Sequence, residues 1–174
     1  VGLDLAKDWE SAEELIGSVM RRLRQRDPGH RLRARVEPGL PLLRCDAVSI
    51  VQLIDNLVDN ALQHGGGGPV EVTAWAQDGR VVIAVRDRGP GVPEALLPRL
   101  FEPFSRGPQP TADAGKSRRG TGVGLALCRA IARVHGGELT VRQRGGGGAS
   151  FEVGLPVEPL PQAAAGGALP ESAA

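Results

Sequence analysis

The stretch from Gln52 to His64, QLIDNLVDNALQH, constrains this chain more than any other. Read as a helix, it gathers Ile50, Ile54, Leu57, Val58, Ala61 and Leu62 into an apolar stripe that must be buried against another element. Asn56 and Asn60 fall one turn apart on one face, and Gln52 and Gln63 extend that polar stripe. Two carboxamides on an otherwise apolar helix have two explanations. They are satisfied by a neighbouring loop, as buried amides generally are. Or they offer oxygen to a hard cation such as magnesium, which takes a few protein oxygens together with phosphate.

The partners for the apolar stripe lie on both sides of it. Residues Trp9 to Arg24 carry Leu15, Ile16, Val19 and Leu23 at helical spacing, with Ser11 and Glu14 as a capping box and Asp27-Pro28-Gly29 as the stop. Arg31 to Val36 alternates basic and apolar residues and reads as an edge strand, and Leu42 to Cys45 as a second, short one. Asp46 is placed to cap the amide-bearing helix, which ends at the glycine run Gly65–Gly68. Pro69 to Ala76 and Arg80 to Val85 form a hairpin across Asp78-Gly79. Pro93 to Leu100 reads as a short helix, residues 105–119 as a long irregular loop, and the stretch from Gly120 to Val134 as a glycine-opened helix. Glu138 to Arg142 and Ser150 to Leu155 close the chain as strands joined across Gly145–Gly148; both glycine runs read as flexible turns. Amphipathic elements of this kind bury their apolar faces only against each other, which implies a two-layer α/β sandwich: about three helices on a mixed, mostly antiparallel sheet of about five strands.

Composition narrows the function classes. At 174 residues the chain has room for one sizeable core. It contains no apolar run of the ~18 residues that a membrane helix requires, and its N-terminus does not read as a signal peptide. A net charge of +1 favours no polyanionic partner, and three Phe, two Trp and no Tyr make a poor stacking platform, so a nucleic-acid partner is not expected. Cys45 and Cys128 stand far apart, with no metal-type spacing, and read as reduced core residues in a cytosolic setting.

Two further motifs carry chemistry. Asp87-x-Gly89-x-Gly91 follows a buried strand. A carboxylate there, flanked by glycines that admit a flat ligand, accepts hydrogen bonds only and so suits an exocyclic amine; the alternative is a solvated Asp in a Gly-Pro-Gly turn. Gly120-Thr121-Gly122-Val123-Gly124-Leu125 opens a helix with bare amides, which favour an anion. It fits neither the dinucleotide fingerprint, which needs a strand just before it, nor a P-loop, which needs Gly-Lys-Ser/Thr. The loop before it is basic, with Arg106, Lys116, Arg118 and Arg119 against Asp113, and reads either as a solvated loop or as a lid over phosphates.

Amide pair, Asp-Gly-Gly strand end, Phe101/Phe104 pair, basic loop and glycine-rich helix start occur in an order that resembles the N, G1, F and G2 boxes of the ATP-binding domain of sensor histidine kinases. That domain has the Bergerat fold, shared with gyrase-type ATPases, and the resemblance covers about Asp46 to Pro156. Trp9-Glu10 with Glu13 to Ser18, Leu125 to Ile131, and Val134-His135-Gly136-Gly137 are similar to one subfamily, the potassium-responsive Kdp sensor kinases. The resemblance implies that Asn60 binds Mg²⁺ with Asn56 on the metal or phosphate side, and that Asp87 holds the adenine amine in a pocket shaped by Gly89 and Gly91. It implies that Gly120, Thr121, Gly122, Val123, Gly124 and Leu125 form the phosphate-binding turn, and that Phe101 and Phe104 anchor the lid. It implies too that one of Arg106, Lys116, Arg118 and Arg119 reaches the γ-phosphate, and Ser150 stands where the family usually has a threonine near the adenine.

The chain departs from the family at Gln63, where many members have a phosphate-touching Lys or Arg, and at His64, which replaces a usual Tyr and is expected to pack on the nucleotide's edge. Asn56 stands where gyrase-type members keep a glutamate; an amide takes no proton, so hydrolysis is expected to be slow, as suits a phosphate donor. None of His30, His64 or His135 lies on an amphipathic helix with an acidic neighbour, so none is expected to be the phosphoacceptor. The implied organisation is a linker at 1–8 from a missing dimerisation domain, a catalytic domain at 9–156 and a disordered tail at 157–174. The implied partners are Mg-ATP, the parent's own dimerisation and phosphoacceptor domain, and a response regulator. The domain itself is expected to be monomeric, on the cytoplasmic side of a membrane-bound parent. An anti-sigma-type serine kinase and a non-catalytic nucleotide-binding module of the same fold are the alternatives.

Overall fold

The computed structural model describes residues 4–103 and 124–162. In chain order these form β1 (Asp8–Glu10), α1 (Ala12–Leu23), β2 (Leu32–Val36), β3 (Leu43–Cys45), α2 (Ala47–His64), β4 (Val70–Gln77), β5 (Arg80–Arg86), a 3₁₀ turn (Glu94–Arg99), α3 (Gly124–Val134), β6 (Glu138–Gln143) and β7 (Ala149–Pro156). Five strands make one mixed sheet in the order β2-β4-β5-β7-β6, parallel only between β2 and β4. The three helices cover one face of it, which is the two-layer sandwich expected. No described helix is long and apolar enough to cross a membrane.

The core follows from the amphipathic stripes. Ile50, Leu53, Ile54, Leu57 and Val58 of α2 are fully buried against Val19 and Leu23 of α1, against Cys128 and Ala132 of α3, and against the inward residues of β4, β5 and β7. Leu62, expected in the core, is only partly buried at its margin. Each buried aliphatic side chain contributes about 1.5–3 kcal/mol.

Three elements differ from their sequence expectation. Trp9 and Glu10 are not helical. Ser11 is the N-cap, its hydroxyl accepting the Glu14 N–H at 3.4 Å, so the helix starts at Ala12. The residues before it are extended and pair antiparallel with β3, making a separate two-stranded ribbon. The segment at 93–100 is a 3₁₀ turn because Pro98 inside it has no N–H to donate to a helical ladder. The glycine runs are turns as expected, but Gly65 and Gly148 in them are closely packed. The Asp78-Gly79 hairpin is as expected, with φ of 51° and 73° at the two turn residues, the type I′ geometry.

Both ends of α2 are pinned. At its start, Asp46 Oδ1 accepts the Ser49 N–H at 3.1 Å and Oδ2 accepts the Ala6 N–H at 2.9 Å. The Asp46 N–H in turn donates to Nε2 of His135, whose Nδ1 lies 2.8 Å from the Ile131 carbonyl. At its end, Arg31 donates from Nη1 to the Leu62 carbonyl and from Nε to the Gly68 carbonyl. The Ser49 N–H, then that of Ala6, holds the Asp46 carboxyl below its ordinary value against the opposing effect of burial. Replacing Asp46 by Ala should cost about 1 kcal/mol at neutral pH, measured by denaturant unfolding. Because the folded-state pKa is depressed, the carboxylate's contribution is present above the unfolded value of about 3.9 and fades as pH falls through the folded one. The gap between wild type and Asp46→Ala should therefore narrow below about pH 4.

Candidate functional site

Asp87, immediately after β5, is the centre of the described site and is 6% exposed. Its backbone N–H donates to the Ala149 carbonyl at 3.0 Å, and its own carbonyl accepts from Arg144 Nη1 at 2.8 Å. Its Oδ1 accepts the N–H groups of Gly89 at 3.0 Å and Ala149 at 3.3 Å. Among the described residues Oδ2 accepts no hydrogen bond. The carboxylate is thus anchored by one oxygen and presents the other.

The approach of two distant chain segments to the Asp87–Gly89 turn depends on glycine. A Cβ on Gly65, the residue that ends α2, would lie 2.3 Å from the Ala61 carbonyl oxygen and 2.9 Å from the Asp87 Cβ. One on Gly89 would lie 2.6 Å from the Gly65 carbonyl carbon. One on Gly148, at φ +98°, would lie 2.1 Å from the Asp87 carbonyl oxygen. The ends of the two glycine runs, Gly65 after α2 and Gly148 before β7, are therefore packed closely against Asp87, while Gly67 and Gly145 have open space. Gly91 adopts φ +78° with its missing Cβ against Gln143 Oε1, and Gln143 holds the next residue at both backbone groups: Oε1 accepts the Val92 N–H at 3.2 Å and Nε2 donates to the Val92 carbonyl.

Helix α2, which ends at Asp87 through Gly65, carries the amide stripe. Asn56 and Asn60 are both half-buried, one turn apart, and His64 is exposed in the last turn. Helix α3 runs antiparallel beside α2, and two hydrogen bonds set its register: His135 to Asp46, and the Cys128 thiol to the Leu53 carbonyl at 3.6 Å. The two ties are seven residues apart on each helix. Four residues further on, Gly124 comes level with Leu57, between Asn56 and Asn60. The start of α3 is thus delivered to the amide pair, with Leu125 packed on the core and open space at Gly124. Burial pushes the Cys128 thiol pKa up to about 12 against the smaller opposing effect of the Asn56 carboxamide, and burial does the same to Cys45.

Of the residues singled out from sequence, Asp87 and Gly89 meet Gly65 at the end of α2, Asn56, Asn60 and His64 lie along the helix that leads to it, and Gly124 and Leu125 start the facing helix α3. Phe101 packs edge-on against Phe151, ring centroids 6.5 Å apart. Ser150 is not brought in by its side chain. Phe151, Val153 and Leu155 point into the core, so the alternation of β7 sends Ser150 with Glu152 to the opposite face, where its hydroxyl lies 3.5 Å from Glu152 Oε1. Its neighbour Ala149 reaches Asp87 instead, through the backbone. Phe104, Arg106, Lys116, Arg118, Arg119, Gly120, Thr121, Gly122 and Val123 lie outside the described residues, as do the loop 105–119 and the tail beyond residue 162. Sequence reasoning missed Gly65, Gly148, Gln143 and Arg144. Burial and the nearby Arg88 and Arg86 hold the Arg144 guanidinium below its ordinary pKa. The two glycine runs were the available signal for the first pair.

Residues 45–159 match the family model described as "Histidine kinase-, DNA gyrase B-, and HSP90-like ATPase". The chain belongs to that ATPase family. Its relatives place it in the sensor histidine kinase branch. It is 38% identical over 147 residues to the alginate biosynthesis sensor protein KinB of Pseudomonas aeruginosa, covering 83% of this chain and 24% of KinB. It is 34% identical over 166 residues to the sensor protein KdpD of Escherichia coli K12, covering 92% of this chain and 17% of KdpD. The chain thus spans about a quarter or less of the length of these relatives. Likeness to KdpD is real but not exclusive. Among solved structures, full-length ShkA in complex with AMPPNP superposes with a TM-score of 0.74 at 29% identity, covering 90% of this chain and 32% of that one.

The glycine walls make a testable contrast. Gly146→Ala meets left-handed strain at φ +84° with only the end of Arg88 nearby, and should cost about 1 kcal/mol. Gly148→Ala adds an overlap with the Asp87 backbone that only a shift of the hairpin relieves, and should cost at least about 3 kcal/mol in denaturant unfolding.

Proposed function

We propose that this chain is the ATP-binding catalytic domain of a two-component sensor histidine kinase, which binds Mg-ATP and passes the γ-phosphate to a histidine on a separate dimerisation domain. The observation that carries this is the Asp87 carboxylate, fixed through Oδ1 in a glycine-walled recess with Oδ2 left to accept an exocyclic amine. An adenine amine suits an acceptor-only group there.

The amide pair fits magnesium. The donors are neutral carboxamide oxygens, which suits a hard cation that takes most of its remaining ligands from phosphate and water. The described residues hold no group of three His, Cys, Asp or Glu that would make a self-sufficient metal cage. When bound, the cation neutralises phosphate charge. Asn60 and Asn56 would hold it, Gly120, Gly122 and Gly124 would give amides to the phosphates at the start of α3, and Lys116, Arg118 or Arg119 would meet the γ-phosphate. His64, exposed in the last turn of α2, would lie along the edge of the nucleotide. Phosphoryl transfer demands positioning and charge neutralisation more than a base, so an amide at position 56 disfavours hydrolysis without disabling transfer.

No histidine of this chain serves as acceptor in this reading. Both ring nitrogens of His135 are engaged in hydrogen bonds and it is 6% exposed. His30 sits in a turn at φ +49°. Residues 9–156 would be the catalytic unit, joined through residues 1–8 to the dimerisation domain of a membrane-bound parent, with a response regulator downstream and the domain itself monomeric on the cytoplasmic side. Likeness to KdpD supports a potassium- or turgor-responsive parent, and likeness to KinB a different stimulus; the catalytic unit serves either.

Calorimetric titration tests this. ATP should bind the wild type more tightly with Mg²⁺ than without, and Asp87→Asn should weaken binding at least about tenfold, as loss of a hydrogen bond to a charged group does. The chain alone should acquire no stable acid-labile label from γ-labelled ATP, and should label an added phosphoacceptor domain. Absence of ATP binding by the folded wild type would overturn the reading.

A further inference from the structure

We propose that Gln143 is a positioning residue for the nucleotide: its side chain stands in for a strand partner and holds the Gly91–Val92 end of the Asp87 recess ready for the adenine. The inference rests on the reading of that recess given above.

Val92 lies in no helix or strand, and among the described residues no backbone group bonds to its N–H or its carbonyl. Gln143 takes both. Its Oε1 accepts the Val92 N–H at 3.2 Å, and its Nε2 donates to the Val92 carbonyl. A carboxamide carries the same acceptor and donor as a backbone peptide group. It reproduces here the exchange of two bonds that a hydrogen-bonded pair makes across an antiparallel ladder. The partners fix its orientation, since a flipped amide would set oxygen against carbonyl and NH₂ against N–H. Gly91 is fitted to the same side chain: it stands at φ +78°, and a Cβ there would lie 2.6 Å from Gln143 Oε1.

Gln143 is the last residue of β6 and is paired with Ala149 of β7. Ala149 donates its N–H to Asp87 Oδ1 at 3.3 Å, and its carbonyl takes the Asp87 N–H at 3.0 Å. One rung of the sheet therefore holds the segment 87–92 at both ends, Asp87 through backbone and Val92 through a side chain. A ligand that needs this segment in one shape binds only the fraction of molecules that hold it. Without the clamp, residues 91 and 92, the first of them glycine, sample other shapes, and the apparent affinity falls with that fraction. Gln143 itself is exposed, so its two bonds compete with water and add little to global stability.

The test uses the full 174-residue chain as wild type, Gln143→Leu and Gln143→Glu, each compared by thermal unfolding. Leucine removes both bonds without adding charge. Glutamate keeps the shape of glutamine and the acceptor for the Val92 N–H, but sets an oxygen against the Val92 carbonyl. Packing alone predicts wild-type behaviour for glutamate. The clamp predicts that both variants unfold close to the wild-type midpoint and bind Mg-ATP about three- to tenfold more weakly in calorimetry, the scale of one hydrogen bond. In Gln143→Leu the loss should be the same factor for ADP, because the clamp acts at the adenine end and not at the phosphates. In proton–nitrogen spectra without nucleotide, the Gly91 and Val92 amide signals should shift in both variants while those of β4 stay in place. Wild-type affinity in Gln143→Leu overturns the proposal, as does weakening confined to Gln143→Glu, which is a charge effect, or weakening with the Gly91 and Val92 signals unmoved. If the wild type itself binds neither nucleotide, the nucleotide reading falls and the proposal with it.

Discussion

The described site depends on one constraint: two backbone segments distant in sequence must pass within contact distance of the Asp87–Gly89 turn. Gly65 ends α2, Gly89 follows β5, and Gly148 precedes β7, and none has room for a Cβ. Asp87 then bonds to the β7 end of the hairpin through its own N–H, through Oδ1, and, by way of Arg144, through its carbonyl. Each tie uses an atom that an unanchored loop would leave to water. What remains unbonded is one carboxylate oxygen, already oriented before any ligand arrives. Preorganisation of this kind removes an ordering cost from binding. It also explains why so much glycine sits in segments that are otherwise well packed.

Helix α2 is the second dependent part, and it is held along its length by side chains from elsewhere. His135 meets its first residue's cap, Cys128 its middle, and Arg31 its last carbonyls and the glycine run beyond. The antiparallel register of α3 follows from the first two of these ties. That register, and not local sequence, brings Gly124 at the start of α3 level with the amide pair. Two segments more than 60 residues apart are thereby juxtaposed by a pair of hydrogen bonds and the apolar seam between the helices.

Much of this was legible in the chain. Alternation marked β4, β5 and β7, Asp78-Gly79 marked their hairpin, and Asp46 marked the start of α2, because each of these signals acts within a few residues. The misreadings share a cause. β1 is three residues held by pairing with β3, some 35 residues on, so Trp9 and Glu10 looked like an extension of the helix that follows them. The glycine runs looked like slack because what they pack against, Asp87, is distant in sequence. Ser150 was assigned by its place in a motif, whereas strand parity, set by Phe151, Val153 and Leu155, turns it to the outer face. Parity was available in the sequence and outranks motif position when the two conflict, since a one-residue error exchanges the faces.

The exchange of Ser150 for Ala149 has a consequence for how the recess works. A hydroxyl near a carboxylate competes for its oxygens or bridges them to ligand through water. Ala149 supplies only its backbone N–H, which commits Oδ1 and leaves Oδ2 without a competitor among the described residues. On the proposed reading, recognition of an amine then rests on that one oxygen. Everything that positions that atom, from Gly65 and Gly148 to the Arg144 and Gln143 ties on the flanking backbone, is structure placed well away from the ligand's own contact.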